Sequence, residues 1–433
     1  MKKKPYQLYY GWVIVVISFF TLFFALGVRF SFGVFFIAIL TEYGWGRGET
    51  AGAFSLAMVV HALFAPVTGT FIDRFGPRKL FPIGAVFLIM GLVAASRITT
   101  IWQLYVFFGI AIAIGINTLS YSPHMSLIPK WFIRKRGLAT GLVLSGVGMG
   151  TMVLVPLTEV MIDTFGWRSA FLLLAGIIFC VVFPMTALFH RRSPEEVGQH
   201  PDGMTTGFNG NLSSQPEELT KKISSSNLPE QWSLKAALCA KAFWYLELTA
   251  FSNGFLTNML LVHQAVHIVD IGYSKFLAAF LLGVVGLLGS VGGILCGFLS
   301  DRLGREISYT LGSAAAFAGI MFLILLPDST SPLMLCTFVV LYGLGYGSMG
   351  PMVASATGDL FPGGSLGRIM AIQSIGYGLG GALGPYLGGY FHDQMGSYFV
   401  PFLLLLASIC IGILGMWMAA PRHRDFLYKS APA

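Results

Sequence analysis

Long apolar stretches separated by short polar ones run the length of this chain. Twelve of them carry few charges, at residues 9–38, 50–72, 80–97, 102–129, 137–163, 168–190, 238–268, 275–300, 307–326, 331–357, 367–391 and 397–420. A helix needs about 20 apolar residues to cross a bilayer, so each stretch predicts one membrane span. The expected fold class is all-α, with twelve transmembrane helices in two pseudo-symmetric six-helix bundles. Only residues 191–237 interrupt the rhythm for long. They are rich in Ser, Glu and Lys and predict a flexible cytoplasmic linker between an N-terminal bundle (1–190) and a C-terminal bundle (238–433). Three lysines before an apolar run resemble a signal peptide at the start. The run from about Tyr10 to Leu40 is too long for one and reads as the first span.

The two halves repeat each other. Residues 69–79 read GTFIDRFGPRK and residues 297–305 read GFLSDRLGR, each joining two apolar segments. Arg136-Gly-Leu-Ala opens the fifth span, and Gly367-Arg-Ile-Met-Ala opens the eleventh. Both then enter a glycine run that ends near a proline, Pro156 or Pro385. Closely spaced glycines let helix backbones approach, and a proline in the membrane can bend a helix. Duplicated membrane bundles of this kind generally move solutes.

Composition and charge agree. Hydrophobic residues make up 55% and charged residues 11%, against about 25% charged in soluble domains. The net charge of +8 does not read as a nucleic-acid surface, because the basic residues lie in short loops. Of the 27 Lys and Arg, 22 fall in segments on one side, Arg47, Arg97, Arg168 and Lys275 fall on the other, and Arg29 lies within the first span. That bias predicts that both termini are cytoplasmic. The five cysteines have no metal or disulfide spacing. No P-loop, metal-binding motif or nucleophile–base pair is visible, and Gly376-x-Gly-x-Gly-Gly lies in an apolar span without a preceding strand. An enzyme, a cofactor and a metal are therefore not expected.

The duplicated Gly-x-x-x-Asp-Arg-x-Gly loop and the layout of six spans, linker and six spans resemble the major facilitator superfamily over nearly the whole chain. Tyr10-Gly-Trp, Arg29-Phe-Ser-Phe-Gly-Val-Phe and Trp131-Phe-Ile-Arg-Lys-Arg-Gly-Leu-Ala-Thr-Gly are similar to its bacterial monocarboxylate-transporter-like branch, which is related to oxalate/formate-type carriers. The resemblance implies a secondary active transporter in a bacterial cytoplasmic membrane. It would move a small organic anion, a monocarboxylate, with a proton by alternating access, and work as a monomer in the bilayer. The branch often has an arginine in span eight, and the related oxalate carriers add a lysine in span eleven. Here span eight has only Lys275 at its mouth, and Tyr377 stands near the lysine position. That departure points to a singly charged substrate or to another class of solute. Two alternatives stay open: an exporter of drugs or other solutes with this fold, and a membrane sensor that binds without flux. Against a drug exporter, span five has no Gly-Pro pair after its glycines.

Arg29 is the sharpest candidate for chemistry. A guanidinium within a span needs a partner or a wet cavity, so it is either internally paired or a carboxylate clamp. The resembled family lines its cavity with spans one, four, seven and ten. That implies Asn117, Tyr121, His263 and Tyr346 as contacts, joined by Gln373 and Tyr377 in span eleven. Ordinary interhelical hydrogen bonding is the alternative for each. His61, His263 and Glu247 are candidates for the proton, since a histidine or a desolvated glutamate can titrate near neutrality. Asp73, Arg74, Asp301 and Arg302 in the duplicated loops are expected to hold the cytoplasmic side closed. A solvated turn is their alternative.

Overall fold

The structure, a computed structural model, describes residues 9–133, 135–203, 232–326, 328–363 and 365–419, without the side chains of Asp73 and Asp301. Twelve long helices follow in chain order: α1 (Tyr10–Tyr43), α2 (Arg47–Phe75), α3 (Pro77–Ala95), α4 (Ile101–Trp131), α5 (Arg136–Phe165), α6 (Trp167–Phe189), α7 (Lys241–Asp270), α8 (Lys275–Leu303), α9 (Arg305–Ile324), α10 (Pro332–Leu360), α11 (Leu366–Met395) and α12 (Phe399–Ala419). Ten of them are long and apolar enough to cross a membrane. The other two, α7 and α11, have 30 residues each. They carry more polar groups because they pack inside the bundle, where Asn253, Asn258, His263, Gln264 and Gln373 are buried. We call the side where α1 begins the inner side and the opposite one the outer side.

The first span exceeds its expected end at residue 38 by five residues. It turns at Ser31, whose Oγ donates to Gly27 O (2.9 Å), and then continues. The apolar Ile37–Leu40 stretch prolongs the helix until Gly44, in the left-handed region (φ 64°), closes it. The glycines of the duplicated loop have a shared reason. Gly76 and Gly304 stand at φ 75° and 92°, each ending one inner helix end and starting the next. A side chain is strained at such angles, so the reversal selects glycine in both copies. The central part of the expected linker, residues 204–231, lies outside the described residues, as do 1–8 and 420–433.

Helix packing follows the duplication. Across the middle of the molecule α2 packs on α11 and α5 packs on α8. Burial along these four helices changes with depth. In the outer part of α5 two neighbouring positions per turn are buried (Gly150–Thr151, Leu154–Val155, Thr158–Glu159), whereas nearer the inner end the stripe is Ala139, Val143 and Gly146. In α11 the pairs Gly380–Gly381, Gly384–Pro385 and Gly388–Gly389 likewise give way to Ile369, Gln373 and Gly376. Among the described side chains of α2 from Leu63 to Phe75, only Thr68 and Ile72 are buried. A Cβ at Gly69, Gly141, Gly297 or Gly367, near the inner ends of these four helices, would meet nothing within 4 Å. At the outer end a Cβ on Gly48 would stand 2.9 Å from the Tyr390 backbone nitrogen. The seam is closed outside and parted inside.

Candidate functional site

Arg29 lies two residues before the turn in α1 and is only 9% exposed. Its Nη2 donates to Asn258 Oδ1 of α7 (2.9 Å) and lies 3.1 Å from Met58 Sδ of α2. The guanidinium carbon is 5.9 Å from the Phe54 ring centre. Its Nε has no partner among the described residues. With Phe54, Met58, His61 and Phe108, Arg29 lines a cavity of about 10 Å³, room for one water.

The wall opposite comes from α4, which is not continuous. Its helix stops at Thr118, Ser120 is extended, and a second helix starts at Tyr121. Broken spans are tolerated where they face protein or a wet cavity. Tyr121 is 46% exposed and within electrostatic reach of Arg29 and Tyr377. Asn117 just above the break has both ends of its amide engaged. Its Oδ1 accepts from Thr68 Oγ1 (2.7 Å), and its Nδ2 donates to the His61 carbonyl (2.9 Å) and lies 3.0 Å from His61 Nδ1. The expected substrate contact is thus a bridge between α2 and α4.

Across the seam, Tyr342 and Tyr346 stack with ring centres 5.2 Å apart. With Gln264, whose Oε1 has no partner among the described residues, they line a second cavity of about 10 Å³. Gln373 accepts a hydrogen bond from Thr357 (2.7 Å) inside the C-terminal helices. Glu247 abuts Gly376 at the α7–α11 contact, with Oε2 buried and unpaired among the described residues.

His263 belongs elsewhere. Its Nε2 donates to Pro385 O (2.7 Å) and its Nδ1 accepts from the Tyr398 hydroxyl (3.0 Å). The same hydroxyl accepts from Arg47 Nη1 (3.0 Å). Arg47 also holds both oxygens of Asp270, at 2.6 and 3.0 Å. The backbone N–H groups of Arg47 and Gly48 donate to the Asp393 carboxylate (2.9 and 2.8 Å), an anion placed on the N-terminus of α2. Together these residues clasp α2 to α7, α11 and α12 on the outer side. Sequence reasoning counted Arg47 among the outer loop charges and left Asp270, Asp393 and Tyr398 out. The available signal was that so few basic residues remain on that side.

Of the expected inner gate, the Asp73 and Asp301 side chains lie outside the described residues. Arg74 lies over the Phe75 ring (5.4 Å) and Arg302 over Phe298 (4.7 Å), each against its own helix. Arg305, the last arginine of the second loop, meets Asp359 of α10 at 3.0 Å. Two of the three motifs that carried the branch resemblance, those at Tyr10 and Trp131, touch each other. Tyr10 lies 5.8 Å from Trp131 and Trp12 lies 5.0 Å from Phe132, centre to centre, which fastens α1 to the inner end of α4.

Comparison with known proteins agrees with this architecture. The profile of the Major Facilitator Superfamily matches residues 18–385 and again 309–429. Monocarboxylate transporter 13 of Bos taurus is 27% identical over 429 residues, covering 98% of this chain and 91% of that protein. Monocarboxylate transporter 12 of Mus musculus is 26% identical, covering 94% and 85%. Among solved structures, a bacterial homologue of the human lysosomal transporter Spinster, inward-facing and unoccupied, superimposes with a TM-score of 0.65 at 16% identity, covering 99% of this chain and 96% of that one.

Proposed function

The chain belongs to the Major Facilitator Superfamily, and we propose that this integral membrane transporter carries a small organic anion, a monocarboxylate, together with a proton by alternating access. The observation that carries the reading is Arg29. An arginine at mid-span costs about 2.5–3.5 kcal/mol on insertion scales, yet this one faces a cavity with a neutral amide as its partner and its Nε–H unpartnered among the described residues. A carboxylate supplies the missing acceptors two at a time and neutralises the charge. The monocarboxylate transporters among the relatives support the same cargo. The absence of any charge in α8 between Lys275 at one end and Asp301 and Arg302 at the other favours a single negative charge on it.

Alternating access is supported by the closed outer clasp and the parted inner ends of α2, α5, α8 and α11. The basic-residue bias places the inner side in the cytoplasm, with both termini there, and suits a bacterial inner membrane. For the proton, Glu247 has the best-supported place: a buried carboxyl oxygen without a partner beside the α7–α11 glycines. The asparagine and tyrosine contacts occupy the Nδ1 lone pairs of His61 and His263.

Uptake of radiolabelled acetate, pyruvate and lactate into proteoliposomes, with and without a pH gradient, tests the proposal. Arg29→Ala is expected to abolish saturable uptake, and Arg29→Lys to raise KM at least tenfold by losing the two-pronged contact. Unchanged KM in Arg29→Ala would remove Arg29 from the site and the anion reading with it.

A further inference from the structure

We infer that His61 is a neutral hydrogen-bond donor to the carried anion, held in one tautomer by Asn117, and not the carrier of the proton. The inference rests on the anion-carrier reading above and adds a second recognition group to it.

The argument begins at Asn117, which is 1% exposed. One atom of its amide lies 2.9 Å from the His61 carbonyl oxygen. A carbonyl only accepts, so that atom is the nitrogen. The other amide atom is then the oxygen, and the Thr68 hydroxyl 2.7 Å away donates to it. The amide nitrogen has two hydrogens. One serves the carbonyl, and the second points to His61 Nδ1 at 3.0 Å. Nδ1 must therefore offer its lone pair, and the proton of the neutral ring sits on Nε2.

Charging the ring would put an N–H on Nδ1 against the N–H of Asn117. It would break one buried hydrogen bond and leave the amide hydrogen unpaired. It would also set a second positive charge beside Arg29, the one charged group lining the same cavity among the described residues. The rest of the wall is apolar, with Phe54, Met58, Phe108 and Ile112. Asn117, which faces the ring from α4, and Thr68 behind it do not titrate. Nothing there compensates an imidazolium.

The free edge of the ring has the opposite use. Nε2 has no hydrogen-bond partner among the described residues, and the side chain lines the cavity that Arg29 also lines. Two of the groups lining that cavity, the Arg29 guanidinium and the His61 ring, offer unused N–H donors among the described residues. A carboxylate head fits the chemistry, its oxygens taken by Arg29 and by His61 Nε2–H, and the cavity, which has room for one water here, must widen to admit it. Asn117 is a positioning residue in this scheme, because it fixes which ring nitrogen bears the proton.

The test combines exchange and accumulation with a direct reading of the ring. In proteoliposomes at equal pH on both sides, exchange of labelled pyruvate reports recognition without proton drive. His61→Gln, which keeps an N–H near the Nε2 position, is expected to hold KM within threefold. His61→Leu is expected to raise KM at least tenfold while the maximal exchange rate stays close to that of the unaltered protein. Both variants are expected to keep accumulating substrate when a pH gradient is imposed. Asn117→Asp replaces the amide donor by a carboxylate that attracts a proton to Nδ1, so the KM of exchange is expected to become pH-dependent where it was flat. Nitrogen-15 spectra of labelled full-length protein, compared with His61→Gln to assign the signal, are expected to show Nε2 protonated and Nδ1 bare at neutral pH. A doubly protonated ring there, or loss of gradient-driven accumulation in His61→Gln with exchange intact, would overturn the inference. A parent protein that moves no organic acid would instead overturn the anion-carrier reading beneath it.

Discussion

Neutralising Asp270 should unlatch the outer side. The clasp contains one two-pronged pair, Arg47 with both oxygens of Asp270 at 2.6 and 3.0 Å, and the side chains are 20% and 35% exposed. A wholly exposed pair contributes about 0.2–1 kcal/mol, whereas a hydrogen bond to a charged group in a buried site contributes about 1.5–3 kcal/mol. Partial exposure and two-pronged geometry place this pair between those limits, at about 1–2 kcal/mol. That corresponds to roughly a 5- to 30-fold change in the ratio of outer-closed to outer-open molecules. The backbone contacts of Arg47 and Gly48 to Asp393 survive the change, so the clasp weakens without vanishing. The assay is a spin-label distance measurement between Thr41→Cys on α1 and Gln394→Cys on α11, both exposed at the outer side. The five native cysteines, all free, are replaced first. Asp270→Asn is expected to add a longer-distance population, Arg47→Ala a similar one, and the double variant little more. A cycle of the two should return a coupling of about 1–2 kcal/mol. An unchanged distance distribution in both single variants would refute the assignment of these residues as the outer lock.

Other outcomes follow from the same geometry. Asn258→Asp places a full charge on Arg29 and is expected to raise the KM for anions at least tenfold, because substrate then competes with a carboxylate; KM in exchange checks it. Glu247→Gln is expected to keep equal-pH exchange and lose accumulation driven by a pH gradient, which parallel exchange and gradient assays separate. Gly297→Leu finds open space in the inward-parted state, so the thermal midpoint should hold. Transport should nevertheless fall sharply if the same helix end must close during the cycle, and full activity in this variant would deny that closure.

The spans were legible because bilayer thickness imposes a length on every apolar run, and the described helices lie close to the runs read from sequence. Glycine punctuation was legible too: the two loop copies turn at Gly76 and Gly304 for the same steric reason. The break in α4 was not, because Leu119 and Ser120 are unremarkable residues for a span and no proline or glycine stands at the interruption itself. Arg29 announced itself by the cost of its charge. Its partner Asn258 did not, since an amide within a span is as often a structural tie as a ligand. Asn117 shows the reverse error. Its depth and type matched a binding group, but its amide is spent on Thr68 and His61, contacts that only the fold reveals. The outer clasp was hidden for a further reason. Arg47, Asp270, Asp393 and Tyr398 are far apart in sequence, and each alone looks like a loop residue.

The strengths of these contacts fit one another in a way that bears on how the carrier could turn over. A ligand moves a two-state equilibrium only by the difference in its affinity for the two states. A weakly bound metabolite, with Kd near 1 mM, has about 4 kcal/mol of binding free energy in total. An outer lock of several strong buried ion pairs would exceed that and trap the protein inward-open. The clasp has instead one partly exposed pair, one tyrosine hydroxyl on the same arginine and one carboxylate on two backbone amides, a scale a weakly bound substrate could match. The strut from Arg29 to Asn258 obeys the same limit. A neutral acceptor steadies the buried cation across the seam, and in the proposed cycle an anion would displace it at small cost. The sequence thus places weak, exchangeable polar contacts where the halves must part. Glycine-backed close contacts also hold each half together, as where a Cβ on Gly115 would stand 2.6 Å from the Leu88 backbone nitrogen.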